Sequence, residues 1–323
     1  MERSFSKKGR NNRIESSICT KNGKMKTRIA LAKQSLTGIS IGDAFGDSFF
    51  RNRDEVEIAL SNKTIPETQW RFTDDTIMAI PILQSLEEFG EVNQDFIAVK
   101  FAENYEKDRH RGYGPSMHRK LMDMKGNTDW LSISKSSFNG SGSMGNGGAM
   151  RVALIGAYFY DNLDKVSEQA KLSSEITHYN NEAIAGAISV AIATALCTET
   201  KNIDKDVWLD TIIEYTPESD LKYKIKKIKT LPKSYTINTI VTALGNGTKM
   251  LAQDTVPIAL WSIYHHMNNF ETSLWKTVSA LGDRDTTCAI VGGISIMNSK
   301  DECIPKNWMD EVEQWNDSIF YKD

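Results

Sequence analysis

Two short acidic runs, Thr73-Asp74-Asp75-Thr76 and Asp283-Arg284-Asp285-Thr286, hold the residues of this chain best suited to chemistry. Each combines carboxylates with hydroxyls, the hard oxygen donors that Mg²⁺ or Mn²⁺ takes in preference to nitrogen or sulfur. Each also stands ahead of an apolar run, Ile77-Met78-Ala79-Ile80 in the first case and Ala289-Ile290-Val291 in the second. Asp283 and Asp285 are too close in sequence to share a face inside a helix, where neighbours lie three or four residues apart. The spacing therefore predicts a turn that opens a helix, with Asp285 or Thr286 near the cap. Capping by itself accounts for an acidic residue at a helix start, because it complements the positive end of the helix dipole. The two matched runs spend more carboxylates than capping requires, and facing each other they would make a metal site.

A different chemistry belongs to the stretch Asn139-Gly140-Ser141-Gly142-Ser143-Met144-Gly145-Asn146-Gly147-Gly148-Ala149-Met150-Arg151. A glycine-dense loop running into a helix is a ready anion cradle, since its bare N–H groups and the helix dipole point at the ligand. It lacks the residue order of a P-loop, and no strand precedes it. A flexible linker explains the glycines as well as a phosphate site does. A second glycine turn, Arg111-Gly112-Tyr113-Gly114-Pro115, lies upstream. His178 follows Thr177 and precedes the small-residue run Ala183 to Ala193, a place where histidine is more often a capping or hydrogen-bonding residue than a catalyst.

The elements that must position these residues read as helices throughout. Ile29, Ala32, Leu36 and Ile39 keep a helical period that runs into Ile41-Gly42-Asp43-Ala44-Phe45-Gly46-Asp47, where small residues permit close approach of a backbone or ligand. A helix from the first acidic run is expected to reach about Phe89, bent at Pro81, and Ile97, Phe101 and Tyr105 mark the next. The run around Ala183 to Ala193 is apolar nearly all round, which predicts burial. Helices resume after Asp254, with Pro257 placed in a first turn, and after Phe270. The lysine-rich segment 222–229 reads as a solvated face. With no strand alternation and no internal repeat, the chain reads as all-α, a compact single domain over residues 28–323.

Composition narrows the function classes. The 323 residues are 40% hydrophobic and 25% charged, with a formal charge of −3, which predicts no general affinity for nucleic acid. The charge is uneven: residues 1–28 carry +7, leaving −10 for the rest. Residues 1–27 are too polar to offset their ordering entropy alone and are read as a flexible basic extension, either an inert tail or a partner-binding arm. No run approaches the roughly 18 apolar residues of a membrane span. Cys19, Cys197, Cys288 and Cys303 show neither metal-ligand spacing nor a disulfide framework, so a cytoplasmic setting is expected.

Taken in order, IGDAFGD at 41–47, TDDTIM at 73–78, RGYG at 111–114, GSMGNGGAMR at 142–151, TH at 177–178 and LGDRDTTCAIVGG at 281–293 resemble the motifs of the ADP-ribosylglycohydrolase family. The resemblance spans about residues 28–300 and implies removal of ADP-ribose from modified protein side chains. It implies that Thr73, Asp74, Asp75, Asp283, Asp285 and Thr286 hold two Mg²⁺ ions, with Asp74, Asp75 and Asp285 in catalytic roles. It further implies that Ser143, Met144, Gly145 and Asn146 hold the diphosphate and adjoining ribose, with Gly112, Tyr113 and Gly114 nearby and His178 contacting the ligand.

Two departures shape the expected substrate. Relatives acting on serine-linked ADP-ribose carry a Glu at the end of the first motif, where this chain has Phe50, so the resemblance favours arginine-linked ADP-ribose. Arg284 fills a slot usually held by a small residue and is free to meet substrate, a neighbouring acid or solvent. Some bacterial relatives with added N-terminal segments resemble immunity proteins against ADP-ribosyltransferase toxins. That implies a second, non-catalytic function, block of a toxin's active site through residues 1–27.

Overall fold

The computed structural model describes residues 8–66, 69–126, 129–299 and 303–322, with the side chains of 8–24 left outside that description. The described chain begins with α1 (Lys8–Asp47), α2 (Arg53–Asn62), α3 (Asp74–Phe89) and α4 (Gln94–Lys107). There follow α5 (Pro115–Met124), α6 (Trp130–Ser136), α7 (Ala153–Tyr158), α8 (Leu163–Glu175) and α9 (Asn181–Glu199). The remainder is α10 (Lys205–Tyr215), α11 (Asp220–Lys227), α12 (Ile237–Leu244), α13 (Ala252–His266), α14 (Phe270–Val278), α15 (Arg284–Asn298) and α16 (Lys306–Glu311). Among the described residues there is no strand, only two isolated bridges, Trp70 with Val312 and Gly145 with Leu251.

The central contact is antiparallel and glycine-lined. A Cβ placed on Gly38 would stand 2.3 Å from the Gly292 carbonyl, one on Gly42 2.0 Å from the Cys288 carbonyl, and one on Gly46 2.2 Å from the Arg284 carbonyl. The glycines recur every four residues on α1 and meet positions four apart on α15, so one face of each helix presents backbone rather than side chains. Ser35 Oγ donates across the same seam to the Gly293 carbonyl at 3.0 Å. This contact sets the end of α1, with Asp43 and Asp47, beside the start of α15, with Asp283 and Asp285.

Around that pair the core forms as the pattern requires. Helix α9 is long and apolar enough to cross a membrane by length and composition, and its side chains are mostly buried against neighbouring helices. Pro81 lies inside α3 as anticipated, whereas α13 begins at Ala252, so Pro257 falls in the second turn rather than the first. The C-terminal stretch closes the aromatic side: Trp308 stacks on Phe45 at 4.6 Å, and Trp70, Trp275 and Phe49 pack edge-on around them. The expected basic extension, 1–27, falls partly on residues 1–7 and on side chains that lie outside the described residues.

The seam gives a direct test. Gly42→Ala forces a methyl into the Cys288 backbone, and overpacking of this kind costs about 1–3 kcal/mol or more. The variant should melt several degrees below wild type in a thermal scan; an unchanged Tm would show that the helices do not pack this closely.

Candidate active site

The first acidic turn is built by capping and by a buried carboxylate. Thr73 is the N-cap of α3, accepting from Asp75 N, so Asp74 and Asp75 are spared that task. Asp43, fully buried on α1, receives Thr73 N at 2.9 Å, Thr73 Oγ1 at 2.8 Å, Thr76 N at 3.1 Å and Thr76 Oγ1 at 2.6 Å. Four donors on one carboxylate fix the turn to the central helix pair. Burial nonetheless pushes Asp43 up to about 7. Sequence reasoning gave Asp43 no role, although an aspartate inside an apolar helix is a signal, since charges are rarely buried without partners.

The second turn is bent through the left-handed region at Leu281 (φ 58) and Gly282 (φ 67), a costly conformation for the leucine. Asp283 is the N-cap of α15 but makes no side-chain capping bond. Its Oδ2 instead accepts from Asn146 Nδ2 at 2.6 Å, tying this turn to the glycine loop. The two turns meet where Thr286 Oγ1 reaches Asp75 Oδ2 at 3.3 Å.

The carboxylates crowd one another. Asp74, Asp75 and Asp285 are all pushed well above the usual carboxylate range, first by burial and then by neighbouring aspartates, and Asp283 is raised as well. Asp75 Oδ1 is buried with no hydrogen-bond partner. Among the described residues no group of three or more His, Cys, Asp or Glu is arranged to hold a metal ion by itself, so an ion here would need the Thr73 and Thr286 hydroxyls, water or substrate oxygens as well. The orphaned oxygen, the unused Asp283 cap position and the oxygen-only donor set fit Mg²⁺ or Mn²⁺.

A cavity of about 580 Å³ opens beside these turns. Of the residues singled out from sequence, it brings together Asp74, Asp283, Asp285 and Thr286 on one side and Gly112, Gly114, Ser143, Met144, Gly145, Asn146 and His178 on another. Thr73 and Asp75 lie just behind the wall. Tyr113 does not reach the cavity; its ring packs edge-on against Tyr105 at 5.1 Å. Gly112 (φ 84) lies against the Thr73 and Asp74 side chains, so the RGYG turn braces the first acidic turn. Arg111 anchors that brace with a two-pronged ion pair to Glu313 at 2.7 and 2.9 Å.

The glycine loop differs from a simple helix-capped cradle. A single 3-10 turn, Asn146–Gly148, precedes α7, which starts only at Ala153, so no helix N-terminus points into the loop directly. Gly145 and Gly147 are glycine because the His178 ring packs on them: added Cβ atoms would stand 2.9 Å and 2.6 Å from it. The apolar wall was not foreseen; Met78, Met117, Phe138, Met150 and Met250 line it. Nor was Arg284, whose guanidinium donates to the Phe49 carbonyl and stacks 4.6 Å over Phe50, meeting neither an acid nor the cavity.

Comparison with known proteins decides the lineage. The sequence profile of the ADP-ribosylglycohydrolase family matches residues 25–320. The chain belongs to the ADP-ribosylglycohydrolase family. Within it, ADP-ribosylhydrolase ARH3 of Gallus gallus is 31% identical over 283 residues, 76% of this chain and 75% of that protein. The human ADP-ribosylhydrolase ARH3 is 29% identical over 331 residues, covering 88% and 89%. An uncharacterised Archaeoglobus fulgidus protein is 28% identical over 87% of this chain and 91% of its own. A solved structure described as an ADP-ribosylglycohydrolase-related protein complex shares the fold, with a TM-score of 0.65 at 19% identity over 89% of this chain and 94% of that one. The helical architecture of this ADP-ribosylglycohydrolase is thus that of its family.

The raised carboxylates make stability pH-dependent. A carboxylate with a folded pKa above its unfolded one costs nothing below the unfolded value and the full penalty above the folded value. For Asp43 that window runs from 3.8 to about 7. In EDTA the protein should therefore lose Tm as pH rises through this window. Added Mg²⁺ should raise Tm more at pH 8 than at pH 5, and Asp75→Asn should shrink that gain. Equal Mg²⁺ effects at both pH values would contradict the charge crowding.

Proposed function

We propose that this ADP-ribosylglycohydrolase is a metal-dependent hydrolase that releases ADP-ribose from modified protein side chains, with arginine-linked substrates preferred over serine-linked ones. The observation that carries the reading is one cavity bounded by an oxygen-only acidic cluster and by a glycine loop. The first suits a ribose with its vicinal hydroxyls, the second a diphosphate. Its volume lies in the ordinary range for enclosing a ligand of that size, about 300–1,000 Å³.

Two Mg²⁺ ions, held by Thr73, Asp74, Asp75, Asp283, Asp285 and Thr286, would supply Lewis-acid stabilisation and orientation of the reacting groups. The chain's own residues do the rest. Loop amides and Asn146 hold the ligand in place, the methionine-lined wall excludes water, and the aspartates favour the oxocarbenium character that develops as the glycosidic bond breaks. Support for arginine linkage comes from Phe50, which stands at the end of the first motif where the family resemblance would place a Glu for serine-linked substrates.

Toxin immunity is a second part of the proposal. Support comes from the +7 charge of residues 1–28 and from the geometry of α1: Arg28 lies fifteen residues, about 22 Å, back along the helix from Asp43. Arg28 is pinned to Asp161 at 2.6 Å, which holds this part of α1 away from the acidic cluster. An arm there can engage an ADP-ribosyltransferase without occupying the hydrolase site.

Release of ADP-ribose should be measured from arginine- and serine-modified proteins with Mg²⁺ and with EDTA. We expect metal-dependent release, faster from arginine, and loss of at least about a hundredfold in Asp74→Ala and Asp285→Ala. Equal or faster release from serine would reverse the linkage preference, and no release from either would sink the hydrolase reading.

A further inference from the structure

We propose that Arg151 and Thr177 are positioning residues that lock His178 in its Nε2–H tautomer, so that a neutral imidazole donates a hydrogen bond to an acceptor oxygen of the bound ligand. The tautomer stands on geometry alone; the ligand's identity as an ADP-ribosyl group rests on the function proposed above.

The argument turns on one proton. Thr177 is fully buried, and its Oγ1 lies 2.8 Å from Arg151 Nη2 and 2.7 Å from His178 Nδ1. A guanidinium has donors only, so the hydroxyl oxygen accepts from Arg151. The hydroxyl's single proton must then go elsewhere. Among the described residues no carbonyl or carboxylate accepts it, which leaves Nδ1. Were Nδ1 protonated instead, two donors would point at one oxygen and the hydroxyl proton would be buried without an acceptor, a situation folded proteins rarely tolerate. Nδ1 therefore accepts, and the proton of the neutral ring sits on Nε2.

The surroundings hold the relay rigid and disfavour a second ring proton. Arg151 is itself fully buried, donates to the Ser173 carbonyl at 2.9 Å and lies 4.7 Å over the Phe101 ring. Lys120, also buried, donates to the Thr177 carbonyl and fixes the backbone on the other side. Neither cation has a carboxylate partner within ion-pairing distance among the described residues. An imidazolium would add a third charge to this group and would point a second donor at Thr177. Burial, then Lys120 and Arg151, accordingly push His178 well below the usual histidine range.

Nε2 has no protein partner among the described residues and faces the loop at Gly145 and Gly147, where His178 lines the cavity. Its N–H joins the loop amides in presenting donors to an oxygen-rich ligand. On this assignment His178 is a fixed donor rather than a proton-transfer group, which gives the glycines at 145 and 147 a reason: they let the ring edge reach the ligand.

Histidine-selective ¹⁵N NMR of the full chain tests the lock, with the His178 signal among the five histidines assigned from His178→Gln. The wild type should show an unprotonated Nδ1 and a protonated Nε2, unchanged between about pH 5 and 8, where ordinary histidines titrate. Thr177→Val removes the donor to Nδ1. It should give mixed tautomers and raise the Kd for ADP-ribose about tenfold, a loss of about 1.4 kcal/mol. Thr177→Ser should restore both. A protonated Nδ1 in the wild type, an unaltered tautomer in Thr177→Val, or no rescue by Thr177→Ser would each overturn the lock. If wild-type protein with Mg²⁺ fails to bind ADP-ribose, the function proposed above falls and the donor role with it, while the tautomer is still decided by the spectrum.

Discussion

The structure depends on two helices whose backbones touch. Gly38, Gly42 and Gly46 on α1 lie against the carbonyls of Gly292, Cys288 and Arg284 on α15, and only glycine permits that separation. Because the pair is antiparallel, the contact brings together chain segments some 240 residues apart and fixes which ends meet. Asp43 then carries the arrangement outward, since its four hydrogen bonds hold the start of α3 to the same end. Three helix ends converge on one point through close packing and a single buried carboxylate.

That convergence creates an electrostatic imbalance that the fold leaves standing. Five aspartates gather on one side of the cavity with raised pKa values, while Arg151 and Lys120 are buried behind the glycine loop, lowered by burial to about 9 and about 8. Acid and base are kept apart instead of neutralising each other as ion pairs. On the function proposed above, both groups would be completed from the cavity, cations at the acidic end and an anion at the loop. Buried unpaired charge is costly, and a protein retains it where binding supplies the missing partner.

Much of this was legible in the sequence, and the reasons differ from residue to residue. The acidic turns could be placed because caps obey local rules, though not to the residue: Thr73 precedes α3, while α15 is capped at Asp283, earlier than the Asp285 or Thr286 expected from the spacing. Helix identity followed from periodicity: α3 ends at Phe89 as expected, and α4 buries the expected Ile97, Phe101 and Tyr105. Local rules could not supply partners. Nothing next to Asp43 announces Thr73 and Thr76, and nothing next to Gly147 announces the His178 ring. The family resemblance put Tyr113 near the ligand together with Gly112 and Gly114, and in the fold its ring packs into the core while the two glycines line the cavity. Arg284 stacks on Phe50, a pairing that no spacing along the chain predicts.

The Arg111–Glu313 pair has a consequence for how the molecule comes into being. Arg111 braces the first acidic turn, and its partner Glu313 lies far downstream of it, as do the second acidic turn and the Trp308 ring that covers Phe45. Chains are synthesised from the N-terminus, and early segments can fold as they emerge. Here the early helices can gather, but α1 has no glycine-matched neighbour and Asp75 no opposing turn until α15 has left the ribosome. The nascent protein therefore carries only half of the acidic cluster until α15 has been made, and the two turns can meet only once that helix folds back onto α1.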